Sequence, residues 1–434
     1  MISSSLIAII FQRLWQGLAG FLTVVVVANY LSLIEQGWYY TFLSVAAMYS
    51  IFEMGLSAVL VQMSAHLFTK IRWANQGLVE GRGAKEFASF FTQAFKSFTR
   101  MAIIFSVVML IFGSLYFYSK SSDDYGWIMP WIFLVVFTAA NMWMLVFFSV
   151  IEGGGKIKEV YWVRFLQGFF GAIGCWLCLY FGFGLWAAVI SPLVSAALAV
   201  TWLLLRFPRV LENFQKNNFA NDFAWRERVW PIQWRVAIGW VGNYLMSQLS
   251  TPVVFYYHGA AAAGQIGLSL TVAHMVGVFS QSWFTQSVPE MARIVVEKEW
   301  SKLSSLFNKN LIGYGVTFIL GSSVVLLTTY FLQGTDYESR IITRSDLLFL
   351  FVFVFFYHLN LGFALQLRAF NKEPLAWIAV LGGAIIFTGT LLFVKEYAIT
   401  GVVLVMFCVQ ILLIFPMTFG FWARANKMLR QEAV

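Results

Sequence analysis

Charged side chains are scarce in this 434-residue chain: Asp, Glu, Lys and Arg together make up 11% of it, against 60% hydrophobic residues. Soluble domains carry about 25% charge, so a water-soluble globular fold is excluded. Cysteine is scarcer still. Cys175, Cys178 and Cys408 all fall inside apolar runs. The first two have C-x-x-C spacing, but residues 174–180 offer no polar neighbour and no second ligand pair, so neither a zinc nor a redox site is complete. These thiols read as small buried or lipid-facing side chains. A basic n-region is also missing from residues 1–5, and the first apolar run is long enough to stay as a span, so a cleaved signal peptide is not expected.

What the chain has is rhythm. Runs of about 20 apolar residues, enough to cross a hydrocarbon core about 30 Å thick, repeat from end to end with the charge held in the gaps. They occupy residues 14–34, 36–61, 101–119, 125–151, 165–181 and 185–205, then 236–257, 265–288, 310–335, 347–367, 374–394 and 397–423. The pattern predicts an all-α polytopic membrane protein with twelve transmembrane helices.

Lys and Arg are held on the cytoplasmic side during insertion, so their distribution orients the spans. With the N-terminus inside, the exceptions among the 29 basic residues are Arg13, within the first span, and Lys120, Arg340, Arg344 and Lys395 in outer gaps. Both termini are then cytoplasmic, in an inner, plasma membrane. The net charge of +9 reads as this topology signal plus attraction to anionic headgroups, not as a nucleic-acid footprint.

The long polar stretch divides the chain into an N-terminal six-helix lobe (1–205), a cytoplasmic linker (206–235), a C-terminal six-helix lobe (236–423) and a cytoplasmic tail (424–434). An offset of about 227 residues places Gln36-Gly37 near Gly264-Gln265 and Phe52 on Phe279, as expected of two parallel repeats enclosing a cleft. Phe87, Phe90, Phe91, Phe95 and Phe98 recur at helical spacing ahead of the third span. Trp300, Leu303, Leu306, Phe307 and Leu311 do so ahead of the ninth. Both stretches read as amphipathic helices on the inner membrane surface. Outer connections are short, which disfavours an enzyme of glycan assembly with catalytic outer loops. Asp123-Asp124 reads as a solvated turn, and Gly153-Gly154-Gly155, lacking the flanking strand and GK[ST] of a phosphate loop, as a helix stop.

Ionisable groups inside spans are costly, by about 2.5–3.5 kcal/mol on insertion scales, so each is a functional candidate. Arg13 lies beside Gln12 and Gln16, which share one helix face at i and i+4, and Glu53 lies about 12 Å of helix rise from the inner end of the second span. The two are placed to pair, either to serve transport or merely to join helices. An imidazole with a near-neutral pKa can take and release a proton, so His274 and His358, with Glu53, are candidates for ion coupling; either also suits a hydrogen-bonded interior. Asn29, Asn243, Gln248, Gln281, Gln286, Asn360 and Gln366 supply amides that either bind sugar hydroxyls or bond helices together. Arg164, Arg235 and Arg368 stand at span ends, where a guanidinium meets phosphate bidentately.

Several stretches resemble the polysaccharide-exporter branch of the multidrug/oligosaccharidyl-lipid/polysaccharide exporter superfamily. They are ANYLSLIEQGWY (28–39), FEMGLSAVLVQ (52–62), IEGGGK (151–156), WPIQWR (230–235), Thr251-Pro252, AGQIGLSL (263–270) and Ser282-Trp283. The resemblance implies two six-helix lobes forming a V-shaped central cleft, and a flippase for an undecaprenyl-diphosphate-linked oligosaccharide, an O-antigen or capsule repeat unit. Arg13, Gln16, Asn243, Gln248, Gln281, Asn360 and Gln366 would line the cleft, and Arg164, Arg235 and Arg368 would hold the diphosphate. No cofactor or metal is expected, only a proton or sodium gradient. Expected partners are the lipid-linked oligosaccharide, membrane lipids, and the polymerase and chain-length proteins. A cation-coupled drug antiporter of the same superfamily is the alternative; it would want an acidic cluster, and only Glu53 offers itself.

Overall fold

The computed structural model describes residues 4–121, 126–215, 223–370 and 375–432. The Asp123-Asp124 turn, Lys216, Lys372 and the Arg430 side chain lie outside the described residues. In chain order the elements are α1 (Ser4–Tyr30), α2 (Leu33–Ala46), α3 (Tyr49–Glu53), α4 (Leu56–Leu67), the strands β1 (Ile71–Trp73) and β2 (Val79–Gly81), α5 (Ala84–Val108), α6 (Ser114–Tyr118), α7 (Ile128–Gly153), α8 (Ile157–Tyr180), α9 (Ala187–Arg206), α10 (Glu212–Gln215) and α11 (Trp225–Arg228). There follow α12 (Trp230–Ser247), α13 (Ser250–Thr285), α14 (Val288–Val296), α15 (Trp300–Phe331), α16 (Arg344–Arg368), α17 (Ala376–Val409) and α18 (Phe415–Glu432).

Helix is the only local structure that satisfies a lone segment's backbone in hydrocarbon, and it dominates here. Among the described residues nine helical segments are long and apolar enough to cross a bilayer, or ten when the α2–α4 stretch, bent by 42°, counts as one. Two of the nine are far longer than a bilayer needs: Trp230–Val296 and Ala376–Met428 hold 67 and 53 residues. Each contains a residue with non-helical torsions, Gly259 (φ 81°, ψ −175°) and Ala398 (φ 48°, ψ −133°).

Met1–Leu31 and Phe42–Val241 pack as one unit; Ser32–Thr41 and Gly242–Val434 pack as another. In the first, Trp15 of α1 lies against Phe165, Phe169 and Trp176 of α8, and the Trp176 indole donates to the Thr23 hydroxyl at 2.9 Å. α9 approaches α8 at a notch: a Cβ on Gly174 would come within 2.6 Å of Ile190. β1 and β2 form a hairpin, pairing Ile71 with Gly81 and Trp73 with Val79. Its Trp73 indole donates to the Gly154 carbonyl at 2.9 Å, and Asn213 bonds Val79 N and Gly77 O.

The two expected surface helices are corrected by the structure. Phe87, Phe90, Phe91 and Phe98 are fully buried in α5, which runs on into the third span. Phe223 and Trp225 from the connecting segment lie 5.1 and 6.1 Å from the Phe90 ring. An apolar stripe fits a protein core as well as it fits lipid, and here the 206–235 segment covers it: Phe207, Val210 and Val229 belong to the same core. Likewise Leu303 and Phe307 of α15 are buried, Leu303 with Met291 and Ile294 of α14, and Phe307 against Phe363 and Trp422.

In the second unit the Ser32–Thr41 stretch docks on α13. Gln36 is buried; its amide nitrogen donates to the Gly264 carbonyl at 2.9 Å and its oxygen accepts from Arg340 at 3.1 Å. A Cβ on Gly37 would lie 1.8 Å from the Ala260 carbonyl oxygen, so only glycine permits the contact. Gly37→Ala is therefore expected to cost about 3 kcal/mol and to lower the melting temperature of the purified protein. Gly17→Ala, where nothing lies within 4 Å, is the control with no shift. Equal melting temperatures for the two variants would contradict this packing.

Candidate functional sites

Glu53 sits at a break. α3 ends there, Met54 and Gly55 take left-handed torsions (φ 53° and 66°), and α4 starts at Leu56. The carboxylate, 2% exposed, accepts from Gly55 N at 2.8 Å and Ser57 N at 2.5 Å, so it caps the new helix. Helix N-termini leave such N–H groups unpaired and carry partial positive charge, which favours a carboxylate there. A Cβ on Gly55 would meet Val236 and Trp240 of α12 within 2.6 Å, so the break is packed tightly. Both carboxylate oxygens thus bond the local backbone, where the sequence reading set Arg13 as the partner.

Arg13 lies near α8, where it acts electrostatically on the Tyr161 hydroxyl. That hydroxyl bonds Glu152, the acidic residue of IEGGGK, and Glu152 pairs with Arg164 at 3.1 Å. The Arg164 guanidinium also lies over the Tyr161 and Phe148 rings, 5.1 and 5.7 Å from their centroids. The Arg13 and Arg164 guanidiniums thus both act on the Tyr161 hydroxyl, beside the single carboxylate of Glu152. Gln16 is exposed beside Gln12, whose amide donates to it at 3.3 Å. Arg235 is exposed and lies 5.6 Å from the Trp234 ring centroid, and Arg368 is exposed in the last turn of α16.

In the second unit three residues marked in the sequence meet. His358 of α16 is 3% exposed and bonds the Gln281 amide oxygen at 2.7 Å through Nδ1 and His274 Nδ1 at 3.4 Å through Nε2. Tyr357 packs edge-on to the His274 ring, centroids 5.5 Å apart. Asn243 and Gln248 on and just after α12 are half-buried, and their amides have no partner among the described residues. Both amide atoms of Asn360 are buried without one. Gln366 is a helix-joining amide here: it is buried and accepts from the Trp422 indole at 2.8 Å. His258 bonds the Val394 carbonyl at 2.6 Å. No group of three or more metal-ligating side chains occurs among the described residues.

Sequence reasoning missed the Gln36–Gly264–Arg340 contacts and the Glu152–Tyr161 bond. Each had a signal, since EQGWY, AGQIGLSL and IEGGGK all stand out as polar or glycine-bearing islands in apolar surroundings.

No protein-family model and no curated protein sequence matches this chain. Solved structures do match its fold. An inward-facing multidrug resistance MATE family transporter of the MOP superfamily is 12% identical, with a TM-score of 0.65 over 98% of this chain and 96% of that one. The lipid II flippase MurJ, in an inward closed conformation, is 13% identical, with a TM-score of 0.60 over 98% and 90%. A MOP superfamily transporter from Pyrococcus furiosus, described as having a binding pocket of reversed polarity, is 12% identical, with a TM-score of 0.57 over 98% and 95%. The chain is a multi-pass membrane protein with the fold of MOP superfamily transporters.

The capping role of Glu53 separates two substitutions. Glu53→Gln keeps an oxygen for one of the two N–H groups and should change unfolding by under about 1 kcal/mol, whereas Glu53→Ala strands both and should cost about 2–4 kcal/mol. Thermal melts of the purified variants measure the gap. Alanine tolerated as well as glutamine would show that the carboxylate does not hold the break.

Proposed function

We propose that this protein is a flippase that carries an undecaprenyl-diphosphate-linked oligosaccharide, an O-antigen or capsule repeat unit, from the inner to the outer leaflet of the plasma membrane by alternating access. The observation that carries the reading is the chemistry at hydrocarbon depth: amides and imidazoles, with one carboxylate already bound to backbone. Neutral donors and acceptors suit a sugar. Counting α2–α4 as one bent span and taking Gly259 and Ala398 as turns supports a reading of twelve spans, and the distribution of basic residues supports cytoplasmic termini.

In this reading Arg164, Arg235 and Arg368, with Arg13, meet the diphosphate at the inner ends of the spans. Gln16, Asn243, Gln248, Gln281 and Asn360 face the glycan, and the polyprenyl tail stays in lipid. Glu53 is the carboxylate placed to sense a proton or sodium gradient. Lipid-linked oligosaccharide polymerase and chain-length proteins would act on the delivered units.

A second reading, a cation-coupled drug antiporter, is favoured by the likeness to MATE transporters. Exchange of cationic drugs calls for several carboxylates at depth, and Glu53 stands alone within the apolar runs. A membrane enzyme of glycan assembly is disfavoured by the short connection between α15 and α16.

Deleting the protein from its host should abolish surface polysaccharide and leave lipid-linked units on the inner leaflet, read by extraction and enzymatic accessibility in inverted vesicles. Arg13→Ala should cut export about tenfold with normal protein level, a loss on the scale of one charged hydrogen bond. Unchanged polysaccharide with heightened dye sensitivity would transfer the function to the antiporter.

A further inference from the structure

His274, Gly277 and Gln281 fall at i, i+3 and i+7 on α13, one stripe facing α16. Gly277 makes room for the His358 ring, since a Cβ there would lie 2.2 Å from its Cδ2. The hydrogen-bond directions in this cluster follow from its far end. An amide oxygen can only accept, so His358 Nδ1, at 2.7 Å from Gln281 Oε1, carries the proton. His358 Nε2 then holds a lone pair, and His274 Nδ1 is the donor toward it. This leaves His274 Nε2 as a lone pair, and that nitrogen is buried with no partner. A buried acceptor without a donor calls for one.

The surroundings say what kind of donor. No Asp, Glu, Lys or Arg occurs in residues 236–289 of α12 and α13 or in 347–367 of α16. The apolar runs of α15 (310–335), α17 (374–394) and the α17–α18 stretch (397–423) lack them too. The titratable groups those runs do hold are Tyr244, Tyr256, Tyr257, His258, Tyr314, Tyr330, Tyr357, Tyr397 and Cys408, none of them a counter-ion for a cation. A proton or metal ion bound at Nε2 would be an uncompensated charge in hydrocarbon, whereas a neutral hydroxyl adds none.

We propose that His274 Nε2 is a fixed acceptor for a hydroxyl of the carried glycan, its tautomer set by the His358–Gln281 relay. This rests on the flippase reading and deepens it, making His274 a specificity-determining residue for the sugar rather than a proton carrier. In the present arrangement the acceptor is closed off, and the cargo-admitting state exposes it.

The test uses the purified full-length protein in nanodiscs and two probes: a polyprenyl diphosphate carrying N-acetylglucosamine, and the same lipid diphosphate without sugar. His274→Phe keeps the ring shape and removes the acceptor. It is expected to weaken binding of the sugar-bearing probe about tenfold and leave the bare probe unchanged, while His274→Gln, which retains an acceptor, recovers most of the loss. If His274→Phe fails to fold, His274→Leu against His274→Gln makes the same comparison. Unchanged affinity of an acceptor-less variant for the sugar-bearing probe would overturn the proposal while leaving the flippase reading standing. So would a shift in the pH profile of transport without loss of sugar affinity, which would mark a proton carrier. Wild-type protein that binds neither probe would overturn the flippase reading and this proposal together.

Discussion

An unpaired backbone N–H or C=O in hydrocarbon costs several kcal/mol, and that constraint governs both the regular and the irregular parts of this chain. It makes the apolar runs helical. It also means that a departure from helix is stabilised by a polar partner, and several of the observed departures have one. At the Met54–Gly55 break the Glu53 carboxylate takes two freed N–H groups. After the Gly153-Gly154-Gly155 turn the Trp73 indole takes the Gly154 carbonyl. At Ala398 the carbonyl four residues back, that of Val394, accepts from His258. Polar residues that look like functional candidates in an apolar sequence are thus divided between structure and function, and the bonds they make decide which.

Because lipid is as apolar as leucine, helices here gain little from hydrophobic burial alone and associate through close fit. Glycine supplies the fit within each unit. A Cβ on Gly153 would lie 2.4 Å from the Val61 carbonyl oxygen, and one on Gly113 would lie 2.4 Å from the Trp131 ring. In the second unit a Cβ on Gly383 would lie 2.8 Å from the Gly242 carbonyl oxygen, and one on Gly242 would lie 2.6 Å from the Ala379 carbonyl carbon. Around these contacts aromatic rings fill the irregular space, as in the Phe363, Phe419 and Trp422 group of α16 and α18.

The spans were legible because hydrocarbon imposes a length and a composition, and both are written in consecutive residues. The hairpin was not, since strands of three residues, Ile71–Trp73 and Val79–Gly81, show no alternation to read. The phenylalanine stripe of α5 was read as a surface helix because periodicity reports that a face is apolar, not what covers it. Helical rise put Glu53 within reach of Arg13, but a break next to Glu53 sets backbone N–H groups against its carboxylate, and only local torsions reveal a break. His274 and His358 were each visible as isolated imidazoles; their meeting across 84 residues of sequence is a product of packing. The spacing of His274 and Gln281 on one helix face was the part of that cluster written locally.

The distribution of charge bears on what such a fold can carry. A lipid-linked oligosaccharide has three parts with different solvation needs: an anionic diphosphate, a neutral hydroxyl-rich glycan and an apolar tail. Dehydrating the diphosphate at mid-membrane would cost far more than any neutral hydrogen bond returns, so basic groups belong at the span ends, where Arg164 shares Glu152 with Tyr161. Amides and imidazoles at depth exchange hydrogen bonds with hydroxyls without moving charge, so their desolvation is recovered when the sugar arrives. A carboxylate at depth, by contrast, attracts cations, and Glu53 is the one such group, held by the backbone N–H groups at the start of α4. Under the proposed flippase reading, the separation of charge from neutral polarity along the spans is the counterpart of a cargo that is itself divided in the same way.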